Sequence, residues 1–245
     1  MDIGPHPYHT HIVVLMFITF RKVYPYSWNL KELSKKTIIE KLENAGFDAV
    51  DMETLGYQYG SVSDLVREKG DTWQINPEKN TTAQKLINDQ HLQAILIVKE
   101  MSVPAAISGV SPSGETVYLS VNGSGLYSTF TFGGSNGIAS TKYKAIAGVH
   151  LTLLSLSPPA DLSLYPPLQV QDQLYIRSVN IDESLYPKDR KDVTQEEFEK
   201  ILPNVLTCMG GLADTAICAI TAGDKSGCYN NVLERIQKSG SGAGD

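Results

Sequence analysis

Three imidazoles within six residues, His6, His9 and His11, are close enough in the chain to chelate a divalent cation if the backbone folds around it. No Cys, Asp or Glu at ligand spacing accompanies them, and a terminal arm rarely supplies the outer hydrogen bonds that orient metal ligands. The expectation is therefore a loose polar terminus and no metal site. For nucleophilic chemistry, neither G-x-S-x-G nor a cysteine with a local histidine occurs. His150 sits in an alternating run and could act as a general base, although a half-exposed strand histidine is the simpler reading. His91, at a helix end, suits a dipole partner. Asp48 and Asp51 would fall on opposite faces of a strand, and Glu196 with Glu197 are ordinary first-turn helix acids. GxxxxGK[ST] is absent, and the glycines at Gly123 to Gly125 and Gly133 to Gly137 lie between strands, where hairpins and bulges need them. No catalytic, cofactor-binding or metal-binding residue is assigned.

The bulk numbers limit the partners. With 245 residues, 42% hydrophobic and 20% charged, the chain has apolar material for one sizeable core. A formal net charge of -6 disfavours nucleic acid. The apolar run Ile12 to Phe20 is about half of what crosses a bilayer, so no transmembrane segment is expected there, and no basic region or small-residue cleavage site marks it as a signal. A cytoplasmic setting follows from the sequence as given, or the cell envelope if the native start carries a signal. Of the three cysteines, Cys208 and Cys218 would lie about 15 Å apart on one straight helix. Only Cys218 and Cys228 are placed to pair.

The elements that must position these residues read as a mixed α/β fold, a variant of the α+β class. Residues 1–11 form a lead-in, 12–190 the α/β domain, 191–238 helices packed on it, and 239–245 a flexible tail. Ile12 to Phe20 suits a buried strand, and Leu30, Leu33, Ile38, Leu42 and Ala45 mark one helix face that Gly46 ends, with Lys35 and Lys36 on the wet side. A short strand, Phe47 to Met52, and short helices at Ser61 to Glu68 and Pro77 to Asp89 are expected next, then a central strand over Gln93 to Glu100. That β-α-β-α-β order favours partly parallel pairing. An antiparallel meander follows in Thr116 to Val121, Leu126 to Phe132 and Lys142 to Leu156, then a strand at Leu174 to Asn180. Thr194 and Glu197 have capping-box form ahead of a helix that Pro203 or Gly210-Gly211 would kink or divide, and Val232 and Ile236 suit a last short helix.

Two sets of residues are candidates for function. Tyr118, Tyr127, Phe130, Phe132 and Tyr143 cluster on the meander and would suit a protein partner or self-association. Alternatively, open α/β sheets place ligand sites at the carboxyl ends of parallel strands. Those ends fall near Tyr24 to Trp28, Glu53 to Tyr57 and Lys99 to Ser102, so Tyr26, Trp28, Lys99, Glu100 and His150 are the pocket candidates.

The helix Asn29 to Ala45 followed by GFDAVDMETL, then QAILIVKE, GSGLYSTFTF and KAIAGVHLTLLSL, resembles the α/β domains of bacterial envelope accessory proteins of the curli-assembly, penicillin-binding-protein activator and TolB N-terminal type. The resemblance covers roughly Ile12 to Ser157 and rests on pattern. It implies a non-enzymatic assembly or regulatory module. Such proteins usually start with a lipoprotein signal ending at a cysteine, whereas the first cysteine here is Cys208.

Overall fold

The computed structural model describes residues 1–13, 20–56, 66–69, 72–75, 89–92, 94–100, 105–110, 116–121, 123–131, 140–156 and 168–222. In chain order its elements are β1 (Tyr8–Val13), β2 (Phe20–Val23), α1 (Leu30–Asn44), β3 (Val66–Lys69), β4 (Thr72–Ile75), β5 (Ala94–Glu100), β6 (Ala105–Val110), β7 (Thr116–Val121), β8 (Gly125–Thr131), β9 (Ser140–Leu156), β10 (Leu168–Asn180) and α2 (Gln195–Ala222), with a 3-10 turn at Glu183–Leu185.

The alternating run after Ser140 makes one long strand, and both edges of β9 are used. Along one edge β10 pairs antiparallel from Leu168↔Leu156 to Asn180↔Lys144. The other edge is shared end to end, β8 taking Ser140 to Ile146 and β5 taking Val149 to Ser155, both antiparallel. The N-terminal segment runs parallel to this line of two strands. Asp2 bridges Lys99, with its N–H on Val98 O at 2.8 Å, and β1 then pairs with β8 from Tyr8↔Gly125 onward. The result is a mixed sheet ordered β2-β1-β8-β9-β10-β4-β3 with β5 beside β9, and β6 pairs with β7 as a separate ribbon.

Residues 1–11 are thus part of the sheet where a loose lead-in was expected: Ile3, His9, Thr10 and His11 are buried. Parallel pairing also arises elsewhere than the early β-α-β order suggested. β1 is antiparallel to β2, and its parallel partner is β8, because the N-terminal segment must follow the β5–β8 line.

The core lies between the sheet and the two helices. Tyr143, Ala145, Ala147, Val149 and Leu151, alternate residues of β9, meet Phe198, Ile201, Val205, Cys208, Met209 and Leu212, which recur at helical spacing on α2. Each large side chain fully buried this way contributes about 1.5–3 kcal/mol relative to exposure. The capping box forms as the spacing predicts: Thr194 N–H donates to Glu197 Oε2 at 2.8 Å and Glu197 N–H to Thr194 Oγ1 at 3.3 Å. α2 runs unbroken through Pro203, whose ring is exposed, and through Gly210-Gly211. Gly210 serves close packing, because a Cβ there would lie 3.0 Å from Lys41 Cε of α1. Lys41 reaches past it to Asp214 at 2.7 Å. By length and composition Gln195–Cys218 could cross a bilayer, but half of it is buried against the sheet and α1, as in a core helix.

α1 matches its expected span, and Gly46 follows it at φ +89. Two expectations are corrected. Residues 47–51 have no regular structure and 52–56 are turns, with no strand, because Asp51 O accepts from Thr54 N–H and Asp51 Oδ1 from Glu53 N–H, curling the chain back toward α1. Val66–Lys69, expected at the end of a helix, is a strand held by β4. The proposed helix from Pro77, the Gly133 turn, the last helix and the tail lie outside the described residues, Asp89 excepted. Cys208 is a buried thiol outside any disulfide and Cys218 is disulfide-bonded, while Cys228 lies outside the described residues.

Candidate functional site

A cavity of about 560 Å³ opens between α1, the turns 46–53, β5 and the end of α2. Its wall is built from Ile38, Ile39 and Leu42 of α1, Leu96 of β5, Leu153 of β9 and Ala216 of α2. The left-handed Gly46 reverses the chain after α1, and Phe47 N–H returns to Leu42 O at 3.1 Å, so the acidic turns are laid along the mouth. There Lys35 Nζ meets Asp51 Oδ2 and Glu53 Oε2, each at 2.9 Å, and Glu32 Oε2 at 3.5 Å. Lys31 adds a second contact to Glu53 Oε2 at 3.2 Å. Burial alone would lower the Lys35 ammonium, but the hydrogen bonds to Glu53 and Asp51 hold it above its ordinary value. Burial alone would raise Glu53, and the bonds to Lys35 and Lys31 bring it down to about 2. Lys35 therefore belongs to the site and not to the wet face of α1. Asp48 and Asp51, set apart in a strand reading, both line this mouth.

The second constellation is sealed inside the sheet. His9 and His11, two residues apart in β1, share a face, and the parallel register sets Ser128 opposite His11. Ser128 Oγ lies 2.8 Å from His9 Nε2 and 2.7 Å from His11 Nδ1. One hydroxyl carries one hydrogen, so Ser128 donates to at most one ring and accepts from the other, or accepts from both. Exposures of 0%, 1% and 0% for His9, His11 and Ser128 leave no route for a substrate. Burial, then the charges of His11, Arg190 and Lys22, push His9 down to about 3; burial, then Arg190, bring His11 to about 4. Both rings are neutral at pH 7. His6 is elsewhere, with Nδ1 3.0 Å from Tyr26 O at the surface, and among the described residues no three His, Cys, Asp or Glu side chains are placed to hold a metal ion.

The residues singled out by sequence are dispersed. Tyr26 and Trp28 pack on Phe198 of α2, with ring centroids at 6.4 and 6.0 Å. Lys99 is exposed and is the register partner of His150, whereas Glu100 turns to the opposite face. Glu100 sits where β5 gives way to β8, accepting from Gly4 N–H at 2.8 Å. Its carboxyl is raised by burial, against the lowering pull of the Gly4 and Ser124 amides. Of the aromatic set, Tyr143 is core, its ring tilted against that of Tyr186 at 4.8 Å between centroids, and the register Ser128↔Tyr143 puts Tyr127 on the other face. Burial pushes Tyr127 up to about 12. Phe130 shares the Tyr143 face, Tyr118 lies on the β6–β7 ribbon, and Phe132 is outside the described residues. The aromatics do not share one surface.

No family model, no curated protein and no solved structure matches this chain. Its function is read from geometry alone.

Proposed function

We propose that this chain is a non-catalytic domain that binds a small, mostly apolar molecule in the cavity between α1 and β5. The observation that carries the reading is the cavity: about 560 Å³, within the roughly 300–1,000 Å³ of small-molecule sites, with an aliphatic wall and a few fixed polar groups at one end. Val50, exposed at 38%, stands at the mouth and extends that apolar surface. A catalytic role has less support, because among the described residues the closest pairing of a hydroxyl with an imidazole, Ser128 with its histidines, is shut off from solvent. The neutral fluorophore N-phenyl-1-naphthylamine should bind with one-site saturation. Ile39→Trp, which places bulk in the wall from a half-buried position, should weaken it about tenfold, or 1.4 kcal/mol, without moving Tm. Equal binding by wild type and variant would remove the cavity as the site.

A role as an interaction or assembly module of the cell envelope is the second reading, and the disulfide at Cys218 favours it, since disulfides persist in oxidising compartments. Protein from its host, denatured under alkylating conditions, should then be alkylated at a single cysteine, Cys208. Three free thiols would count decisively against an oxidising location.

A further inference from the structure

The mouth of the cavity is asymmetric in charge. Asp48, Asp51 and Glu53 line it, against Lys35 and the amino group of Met1. The Lys35 ammonium has three N–H donors and three carboxylates around it, those of Asp51, Glu53 and Glu32. An arriving anion would have to displace one of these and would then sit among like charges. Glu53, clasped by Lys31 and Lys35, stays ionised throughout the neutral range. Asp48 differs from its neighbours: it is exposed at the mouth and makes no hydrogen bond or ion pair among the described residues. Both cations at this entrance, Lys35 and the amino group of Met1, are paired with carboxylates, and the Asp48 carboxylate is not paired.

We infer that the molecule held here has an apolar body ending in a cation, of the class of alkyl or aryl amines, and that Asp48 receives the charged end. The inference rests on the cavity being a ligand site and adds the chemical class. The apolar part lies against Ile38, Leu42 and Leu153, and the ammonium stays at the hydrated entrance, where keeping its water shell avoids the desolvation cost of a buried charge. An exposed pair of this kind is worth up to about 1 kcal/mol, so selectivity between head groups is modest, but its sign is fixed.

Displacement of bound N-phenyl-1-naphthylamine by decylamine, decan-1-ol and decanoate at pH 7 and low salt tests the assignment, because the three share a chain and differ in head group. Decylamine should displace the probe at a concentration about fivefold below decan-1-ol, with decanoate weakest. In Asp48→Asn, an exposed position whose change leaves the wall intact, the amine should fall to within about twofold of the alcohol. Decanoate matching or exceeding decylamine, or an amine advantage unchanged in Asp48→Asn, overturns the inference while probe binding leaves the cavity reading standing. If neither the probe nor any of the three chains binds, the cavity reading itself fails and this inference with it.

Discussion

Between pH 6.5 and pH 4.5 this protein should lose several kcal/mol of stability, before most of its carboxylates have titrated. His9 and His11 have folded-state pKa values of about 3 and about 4, against 6.5 for the free side chain. Below pH 6.5 the unfolded chain takes up two protons that the folded chain refuses. Each histidine then withdraws about 1.4 kcal/mol per pH unit, and the loss levels off only once pH falls through the folded values. Glu100 opposes this, since its raised carboxyl takes up a proton earlier in the fold than in the unfolded chain. Its single contribution offsets part of what two histidines remove. Urea unfolding at pH 7.5, 6.0 and 5.0 measures the slope. His9→Gln and His11→Gln should each be less stable at pH 7.5, having disturbed Ser128, yet each should flatten the slope by about 1.4 kcal/mol per unit. A wild-type protein equally stable at pH 7.5 and pH 5.0 would show that the two rings are not buried as neutral groups.

These histidines also mark where the sequence stops being legible. α1 and α2 carry their limits locally, in Gly46 and in the Thr194–Glu197 box, and β9 carries its own in a long alternating run. Local rules suffice there because caps and periodicity act within a few residues. YHTHIV has the polarity of a surface arm, and what makes it an inner strand is Ser128, 119 residues from His9. Nothing near β1 announces that partner. Lys35 repeats the lesson at shorter range. Its spacing with Glu32 is that of an exposed helix face, and only the turns after Gly46 bring Asp51 and Glu53 onto it. The aromatic set is divided by register. Tyr127 and Tyr143 are both strand residues on neighbouring strands, and a one-residue offset decides whether they share a face.

Replacing Gly125 by Ala should cost far more than the same change at Gly46, although both glycines have positive φ. At Gly46, φ +89, a Cβ would meet nothing within 4 Å. The penalty is conformational alone, about 1–2 kcal/mol. At Gly125, φ +151, the same atom would run into Tyr8 O and lie 2.8 Å from Tyr8 N. These are backbone atoms of the adjacent parallel strand and cannot rotate aside as a side chain can. Accommodating the methyl means moving β1 away from β8, which breaks the pairing that begins at Tyr8↔Gly125 and separates His11 from Ser128. A loss beyond about 4 kcal/mol, the range of exceptional single substitutions, is expected in urea unfolding, and Gly46→Ala serves as the control. Should Gly125→Ala still fold, amide exchange should accelerate in Tyr8–Val13 but not in α1. Its acid sensitivity should also fall, because water reaching His9 and His11 lets them protonate in the folded state. A Gly125→Ala protein as stable as Gly46→Ala would mean that β1 does not lie against β8 at this distance. The parallel seam, and the burial of both histidines with it, would then not exist.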